Sequence, residues 1–195
     1  MKMLVTGGNR GLGLFLATEF AADSVSRNTG IDITKDYDRL AQHSLNYDIF
    51  VNNAFDGPPQ EPWANFGQTR VYLSVYDAWK KSGKSGWIFN IGSIGSKSVV
   101  SPEPRFETYR INKVALEYAS KQGTQAFKHN HVQFKTTLIS IDRLNTDLSR
   151  SRATWTGNGI DCADIGNFIN YVTSVSANTV IDEAVFYVNF DHGSQ

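Results

Sequence analysis

Tyr109 and Lys113 stand four residues apart in a stretch, residues 108–129, whose apolar spacing predicts a helix. Residues four apart share a helix face. A phenol beside an ammonium is a tunable proton donor and acceptor. Tyrosine serves near neutral pH only if its pKa, about 10 in isolation, falls by about three units, which takes about 4 kcal/mol. One ammonium about 4 Å away supplies roughly that at an effective dielectric near 20. Such a pair suits general acid/base work on a substrate oxygen. The spacing alone is weak, because Tyr76 and Lys80 repeat it. That copy lies in the middle of the preceding predicted helix, where Tyr76 is expected to pack and Lys80 to be solvated. An ordinary exposed pair is the competing reading for Tyr109 and Lys113 too.

The second chemical signal is Thr6-Gly7-Gly8-Asn9-Arg10-Gly11-Leu12-Gly13. It falls between a short apolar strand, residues 3–6, and a helical pattern, residues 12–22, with Leu12, Phe15, Leu16 and Phe20 available for one face. In that context glycines let the backbone turn tightly and approach a pyrophosphate, which the N–H groups of the helix amino end can bind. Gly13 would let the helix pack close to the strand. A plain glycine turn is the alternative.

The elements that must position these residues follow the same alternation. Strands are expected at 24–28, 47–51, 87–91, 134–141 and 185–189, and helices at 36–45, 64–81, 108–129 and 163–173. Loops rich in Gly, Ser and Pro fill 56–62 and 93–104. Strands alternating with helices argue for an α/β fold: a Rossmann-like, doubly wound parallel sheet in a single domain over residues 1–195. Ligands bind such sheets beyond the carboxyl ends of the strands, and the Gly-, Asn- and Ser-rich segments all follow strands.

Taken together, these motifs resemble the short-chain dehydrogenase/reductase family over nearly the whole chain. The glycine spacing of residues 6–13 is similar to that family's, and not to that of sugar-nucleotide epimerases or of most other dinucleotide-binding dehydrogenases. Asn52-Asn53-Ala54 resembles its Asn-Asn-Ala-Gly, with Phe55 in place of the last glycine. Asn90-Ile91-Gly92-Ser93 resembles its Asn-x-Ser-Ser strand end, and Tyr109 with Lys113 its Tyr-x-x-x-Lys. The resemblance implies an NAD(P)-dependent oxidoreductase acting on a small carbonyl or alcohol. Tyr109 would be its general acid/base, Lys113 would hold the ribose hydroxyls, and Ser93 would bind the substrate oxygen. The gap from Ser93 to Tyr109 is longer than usual in the family, so residues 99–106 carry a possible insertion; Ser96 would restore the usual gap, and both serines stand as candidates. The family's fourth catalytic member, an asparagine in the helix before the serine strand, falls on Asn65, for which a helix cap is the alternative. The resemblance also implies a homodimer or homotetramer through the helices carrying Asn65 and Tyr109, and the aromatic-rich segment 63–79 would suit that interface.

Cofactor contacts implied in this way are Thr6, Gly7, Asn9, Arg10, Gly11, Leu12, Gly13, Arg27, Asp32, Asn53, Ala54, Tyr109, Lys113 and Thr146. Asp32 resembles the acid of the family's Asp-Val-Thr, which contacts the adenine amino group. Ser26-Arg27-Asn28 lacks the acid that would bind a ribose diol. Arg27, with Arg10 beside it, could instead meet a 2′-phosphate, because guanidinium binds phosphate bidentately. NADP(H) is therefore favoured, with NAD(H) possible.

Three departures stand out. Between the glycine turn and Asn52 about one strand-helix unit is short or lost. Asp142 and Arg143 replace a Pro-Gly pair ahead of Thr146. The segment covering the substrate, residues 147–159, is brief, offering Arg150, Arg152 and Trp155. Lost parts and altered motifs leave room for a non-catalytic dinucleotide-binding sensor or scaffold on the same fold.

Composition narrows the alternatives. The formal net charge is zero, with 19 Lys+Arg and 19 Asp+Glu, which gives no electrostatic case for nucleic acid or an acidic membrane. No run of about 20 apolar residues exists to span a bilayer. The strand at residue 3 leaves no room for a signal peptide, so a cytoplasmic protein is expected. The 4 histidines have no metal-ligand spacing, so no metal is expected. The single Cys162 reads as a small buried or half-buried residue rather than a reactive thiol.

Overall fold

A computed structural model describes residues 1–55, 66–97, 104–151 and 157–188, apart from the side chains at 104–106 and 148. Its elements run β1 (Met3–Thr6), α1 (Gly11–Glu19), β2 (Asp23–Val25), α2 (Tyr37–Ser44), β3 (Ile49–Asn52), α3 (Gly67–Ser82), β4 (Gly86–Ile91), α4 (Pro104–Lys128), β5 (Phe134–Ile141), α5 (Asp147–Arg150), α6 (Cys162–Ser174) and β6 (Glu183–Phe186). Single 3-10 turns lie at Arg27–Thr29 and Ile94–Lys97. The six strands form one sheet in the order β2-β1-β3-β4-β5-β6, every neighbour parallel. This is the expected α/β architecture.

β1, β3 and β5 are buried at every residue, as befits strands with helices on both faces. Their side chains alternate between two cores. Leu4, Phe50, Ile88 and Phe134 meet Leu40 of α2, Val71, Tyr72, Val75 and Trp79 of α3, and Leu116 of α4. On the other face Val5, Val51, Phe89 and Ile139 meet Leu12 and Leu16 of α1 and Ile165, Ile169 and Val172 of α6. The chain leaves β1 toward β2 on one side and returns to β3 on the other. The crevice where a ligand binds such a sheet therefore opens between the carboxyl ends of β1 and β3.

Several expected boundaries shift for local reasons. α1 stops at Glu19, before the expected residue 22, because Ala21 turns left-handed (φ 46°) and the Ala22 N–H closes back on Ala17 O at 2.9 Å. β2 ends at Val25, before residue 28, where the Ser26 N–H donates to Thr29 Oγ1 at 2.8 Å and opens the 3-10 turn. Between β2 and β3 the chain has only that turn and α2, so one strand-helix unit is missing and β2 is the sheet edge. The loop at 56–62, with Trp63 and Asn65, lies outside the described residues.

The aromatic residues of α3 do not face outward as an interface would require. Trp79 and Tyr72 are fully buried; Trp79 packs edge-on against Phe134 and its Nε1 donates to Ser44 Oγ at 2.9 Å. Tyr76 likewise packs on Phe134, and burial raises its phenol pKa, while Lys80 is exposed. No helix among the described residues is long and apolar enough to cross a membrane.

Candidate active site

Four strand ends deliver the candidate residues to one edge of the sheet. β4 runs into Gly92-Ser93, and α4 carries Tyr109 and Lys113 across the top of it. Lys113 is only 4% exposed. Its Nζ donates to Ile91 O, at the end of β4, at 2.9 Å and to Gln68 Oε1 at 2.8 Å. The ammonium lies 5.6 Å from the centre of the Tyr109 ring and 5.2 Å from that of Phe55. Phe55 and Tyr109 meet edge to face with centroids 5.0 Å apart. The residue that departs from the motif thus forms a wall of the same pocket.

Ser93 is buried, and its Oγ accepts the Gly95 N–H at 3.1 Å. A methyl group on Gly95 would sit 3.3 Å from Ser93 Oγ and 3.6 Å from Tyr109 Cε1, so one small space touches both. Ser96 is turned away: its Oγ lies 2.8 Å from Ser93 O and 2.5 Å from Glu117 Oε2. Of the two serines, the geometry brings Ser93 to Tyr109. Ser98 and the second half of that loop lie outside the described residues, as does Asn65.

Gln68 is the residue that sequence reasoning missed. Its amide Nε2 donates to Asn52 O at 2.8 Å and to Ile91 O at 3.0 Å, while its Oε1 receives Lys113. A signal existed. Gln68 falls in phase with Val71, Tyr72, Val75 and Trp79 on the inward face of α3, and a polar side chain aimed into a core needs partners. Further inside, Asn52 Nδ2 donates to Asn90 Oδ1 at 2.9 Å, and Asn90 Nδ2 to Ser120 Oγ at 3.1 Å.

The glycine turn forms the other half of the crevice. Gly7 and Gly11 take positive φ, 77° and 54°. A methyl on Gly13 would lie 2.2 Å from Gly7 O and 2.6 Å from Asn53 Nδ2. Thr6 is fully buried; its Oγ1 accepts the N–H groups of Asn53 and Ala54 at 2.9 Å each, so it fixes the neighbouring turn from inside. Leu12 is a core residue whose backbone opens α1. Arg10, the residue before α1, is exposed and provides no side-chain cap to its amides. Thr146, across the gap, comes within 3.6 Å of where a Gly11 side chain would begin. A cradle this narrow, at the amino end of a helix, fits a pyrophosphate.

Beyond β2 Arg27 is exposed, and Asn9 Nδ2 donates to Ser26 Oγ at 2.9 Å. Asp32 Oδ1 accepts from Thr34 N and Oγ1 at 2.9 and 2.8 Å. Those bonds, the backbone one foremost and with Arg27 and Lys35 nearby, hold its carboxyl below the usual range. Asp142 points away from the crevice, accepting the Val188 N–H at 3.3 Å beyond β6. Arg150 is exposed beside Asp147, and Arg152 and Trp155 lie outside the described residues. Burial and the nearby Asp161 push the half-buried Cys162 thiol up, which disfavours a reactive thiolate.

An ion cluster clamps the Ser93 turn to α4 and the sheet. Lys97 and Lys121 each lie 2.6 Å from Glu117 Oε1, and Lys97 also lies 2.6 Å from Glu183 Oε1. Burial raises the Glu117 pKa, but bonds from Lys121, Lys97 and Ser96 outweigh it and bring it from the ordinary 4.5 to about 2. The folded value lies below the unfolded one. Its contribution to stability is therefore complete above about pH 4.5 and is lost as pH falls toward 2. Glu117→Gln should cost about 2 kcal/mol at neutral pH. Its thermal unfolding should also decline less steeply than the wild type's between pH 4.5 and 2. Parallel melting curves across that window would count against the clamp.

No family profile matches the chain, and no curated protein matches it in sequence. Solved structures do match. The closed form of a serine dehydrogenase complexed with NADP+ is 15% identical and superposes with a TM-score of 0.72 over 100% of both chains. A beta-ketoacyl-[ACP] reductase from Bacteroides thetaiotaomicron is 19% identical, with a TM-score of 0.71 over 96% of this chain and 97% of that one. A short chain dehydrogenase from Burkholderia cenocepacia in complex with NADP is 19% identical, with a TM-score of 0.70 over 95% and 89%. Identities this low carry the architecture and not the activity. The chain has the short-chain dehydrogenase/reductase fold.

Proposed function

We propose that this protein is an NADP(H)-dependent oxidoreductase that moves a hydride between nicotinamide and a small carbonyl or alcohol substrate. The observation that carries the reading is the buried Lys113 ammonium, held beside the Tyr109 ring and within one small space of Ser93, on the same sheet edge as the glycine cradle. The cofactor, when bound, gives or takes the hydride. In the reducing direction Tyr109 passes its phenolic proton to the substrate oxygen, and Lys113 stabilises the phenolate left behind. Ser93 already accepts from Gly95 N–H, so its own proton is directed to the substrate oxygen. Gly7, Gly11, Gly13 and the first amides of α1 hold the pyrophosphate, with Asn9, Asn53, Ala54, Asp32 and Thr146 lining the rest. Arg27 and Arg10, both exposed at the rim, favour a 2′-phosphate.

Fluorescence titration with NADPH and NADH, followed by a panel of aldehydes and ketones, tests the reading. Tighter binding of NADPH and its oxidation by at least one carbonyl are expected. Binding without turnover would favour a dinucleotide sensor, and binding of neither cofactor would defeat both. Self-association through α4 is expected, and the exposed apolar stripe of Ile111, Val114 and Tyr118 supports it. A homodimer or homotetramer is expected by sedimentation, and Tyr118→Glu should shift it to monomer. An unshifted assembly would move the interface elsewhere.

A further inference from the structure

Gln68 is held from both ends of its amide. Nε2 carries two protons, and both are directed at backbone carbonyls, Asn52 O at 2.8 Å and Ile91 O at 3.0 Å, the last residues of β3 and β4. This settles the orientation of the group. Flipped, its oxygen would face two carbonyl oxygens and its NH2 would face an ammonium. Oε1 is therefore directed at Lys113 Nζ, 2.8 Å away. The side chain is 4% exposed, so little water competes for these bonds. Its own backbone carbonyl accepts Asn52 Nδ2 at 2.9 Å, which ties the first turn of α3 to β3 as well.

Building on the function proposed above, we infer that Gln68 is a positioning residue: it fixes the Lys113 ammonium against the carboxyl end of β4, at the height where its charge acts on Tyr109. Lysine has a flexible four-carbon stem with about 2 kcal/mol of rotamer entropy. The Ile91 carbonyl restrains it from the end of β4. Gln68 supplies a second acceptor from another element and shares Ile91 O with it, so the amine is held between α3 and β4. Asparagine at this position would be one methylene short of spanning the carbonyls and the ammonium together.

The test follows the Lys113 side chain directly. Protein carrying 13C-labelled lysine is titrated by NMR, with the Lys113 resonance assigned by its loss in Lys113→Arg. Gln68→Asn withdraws the acceptor and should lower the Lys113 titration midpoint by about one pH unit, a tenfold change in its proton affinity. Gln68→Glu keeps the arm length, adds a negative charge and should raise the midpoint above wild type. A merely structural role would destabilise both variants without moving Lys113 in opposite directions. Midpoints unchanged in both, or shifted the same way, would overturn the inference. The readout needs neither cofactor nor turnover. A wild-type protein that fails to oxidise NADPH would thus defeat the proposed function while leaving the Gln68 result to be read on its own.

Discussion

Tyr109→Phe is expected to reduce turnover about a thousandfold while leaving the affinity for NADPH within about twofold of wild type, since a positioned general acid contributes about 10²–10⁴ in rate. The substitution removes only the hydroxyl. The ring remains to pack edge-on against Phe55, with centroids 5.0 Å apart, and to lie beside Lys113. Ser93 and Gly95 keep their mutual bond. The pocket keeps its shape and loses its proton source. Steady-state rates with the best carbonyl of the panel and cofactor fluorescence on the same preparation give the two numbers. Turnover retained within tenfold would remove Tyr109 from the mechanism and transfer the proton to another donor.

Gly13→Ala should produce the opposite pattern, weakening NADPH binding at least about a hundredfold and destabilising the fold. By helix propensity alone the change should help, because alanine is favoured over glycine inside a helix by about 1 kcal/mol. Packing reverses the sign. The new methyl would lie 2.2 Å from Gly7 O and 2.6 Å from Asn53 Nδ2, the latter a group that donates to Thr6 O at 2.9 Å. Backbone atoms cannot rotate aside as a side-chain tip can. α1 must therefore retreat from the turn, taking its amino-end amides away from the phosphate position. Overpacking of this kind costs about 1–3 kcal/mol. Thermal unfolding reads the stability loss and NADPH titration the affinity. Unchanged affinity would mean that the anion is held elsewhere than at the start of α1.

Legibility from sequence tracked the distance along the chain over which each contact is made. Tyr109 and Lys113 declare themselves by a spacing of one helical turn, and the glycine turn by eight consecutive residues between a strand and a helix. The strand at 134–141 was placed to the residue. Gln68 was missed because its bond to Lys113 spans 45 residues: its inward phase on α3 signals a need for partners without saying which. The inward turn of Trp79 and Tyr72 was equally hidden: aromatic richness does not say which face of α3 meets the sheet, and that is decided by Phe134 and Ser44, far along the chain. β2 ran short because its end is set by a three-residue exchange between Ser26 and Thr29 that competes with strand pairing. Which serine lies beside Tyr109 was hidden too, since it depends on Glu117, which claims the Ser96 hydroxyl.

The amide pair between β3 and β4 bears on how the sheet finds its alignment. A strand with one wet face resists slippage, since a shift of one residue would turn its apolar side to water. β3 is buried at every position, and β4 at every position after Gly86, so sliding one past the other exchanges one apolar neighbour for another. Asn52 and Asn90 are direct partners across that ladder and are bonded side chain to side chain. A misalignment would break that bond and take the Asn52 donor from Asn90 Oδ1 in a dry interior. The polar pair beneath the active site thus acts as a proofreading mark for strand pairing, discriminating the native alignment from its neighbours where greasy surfaces alone would not.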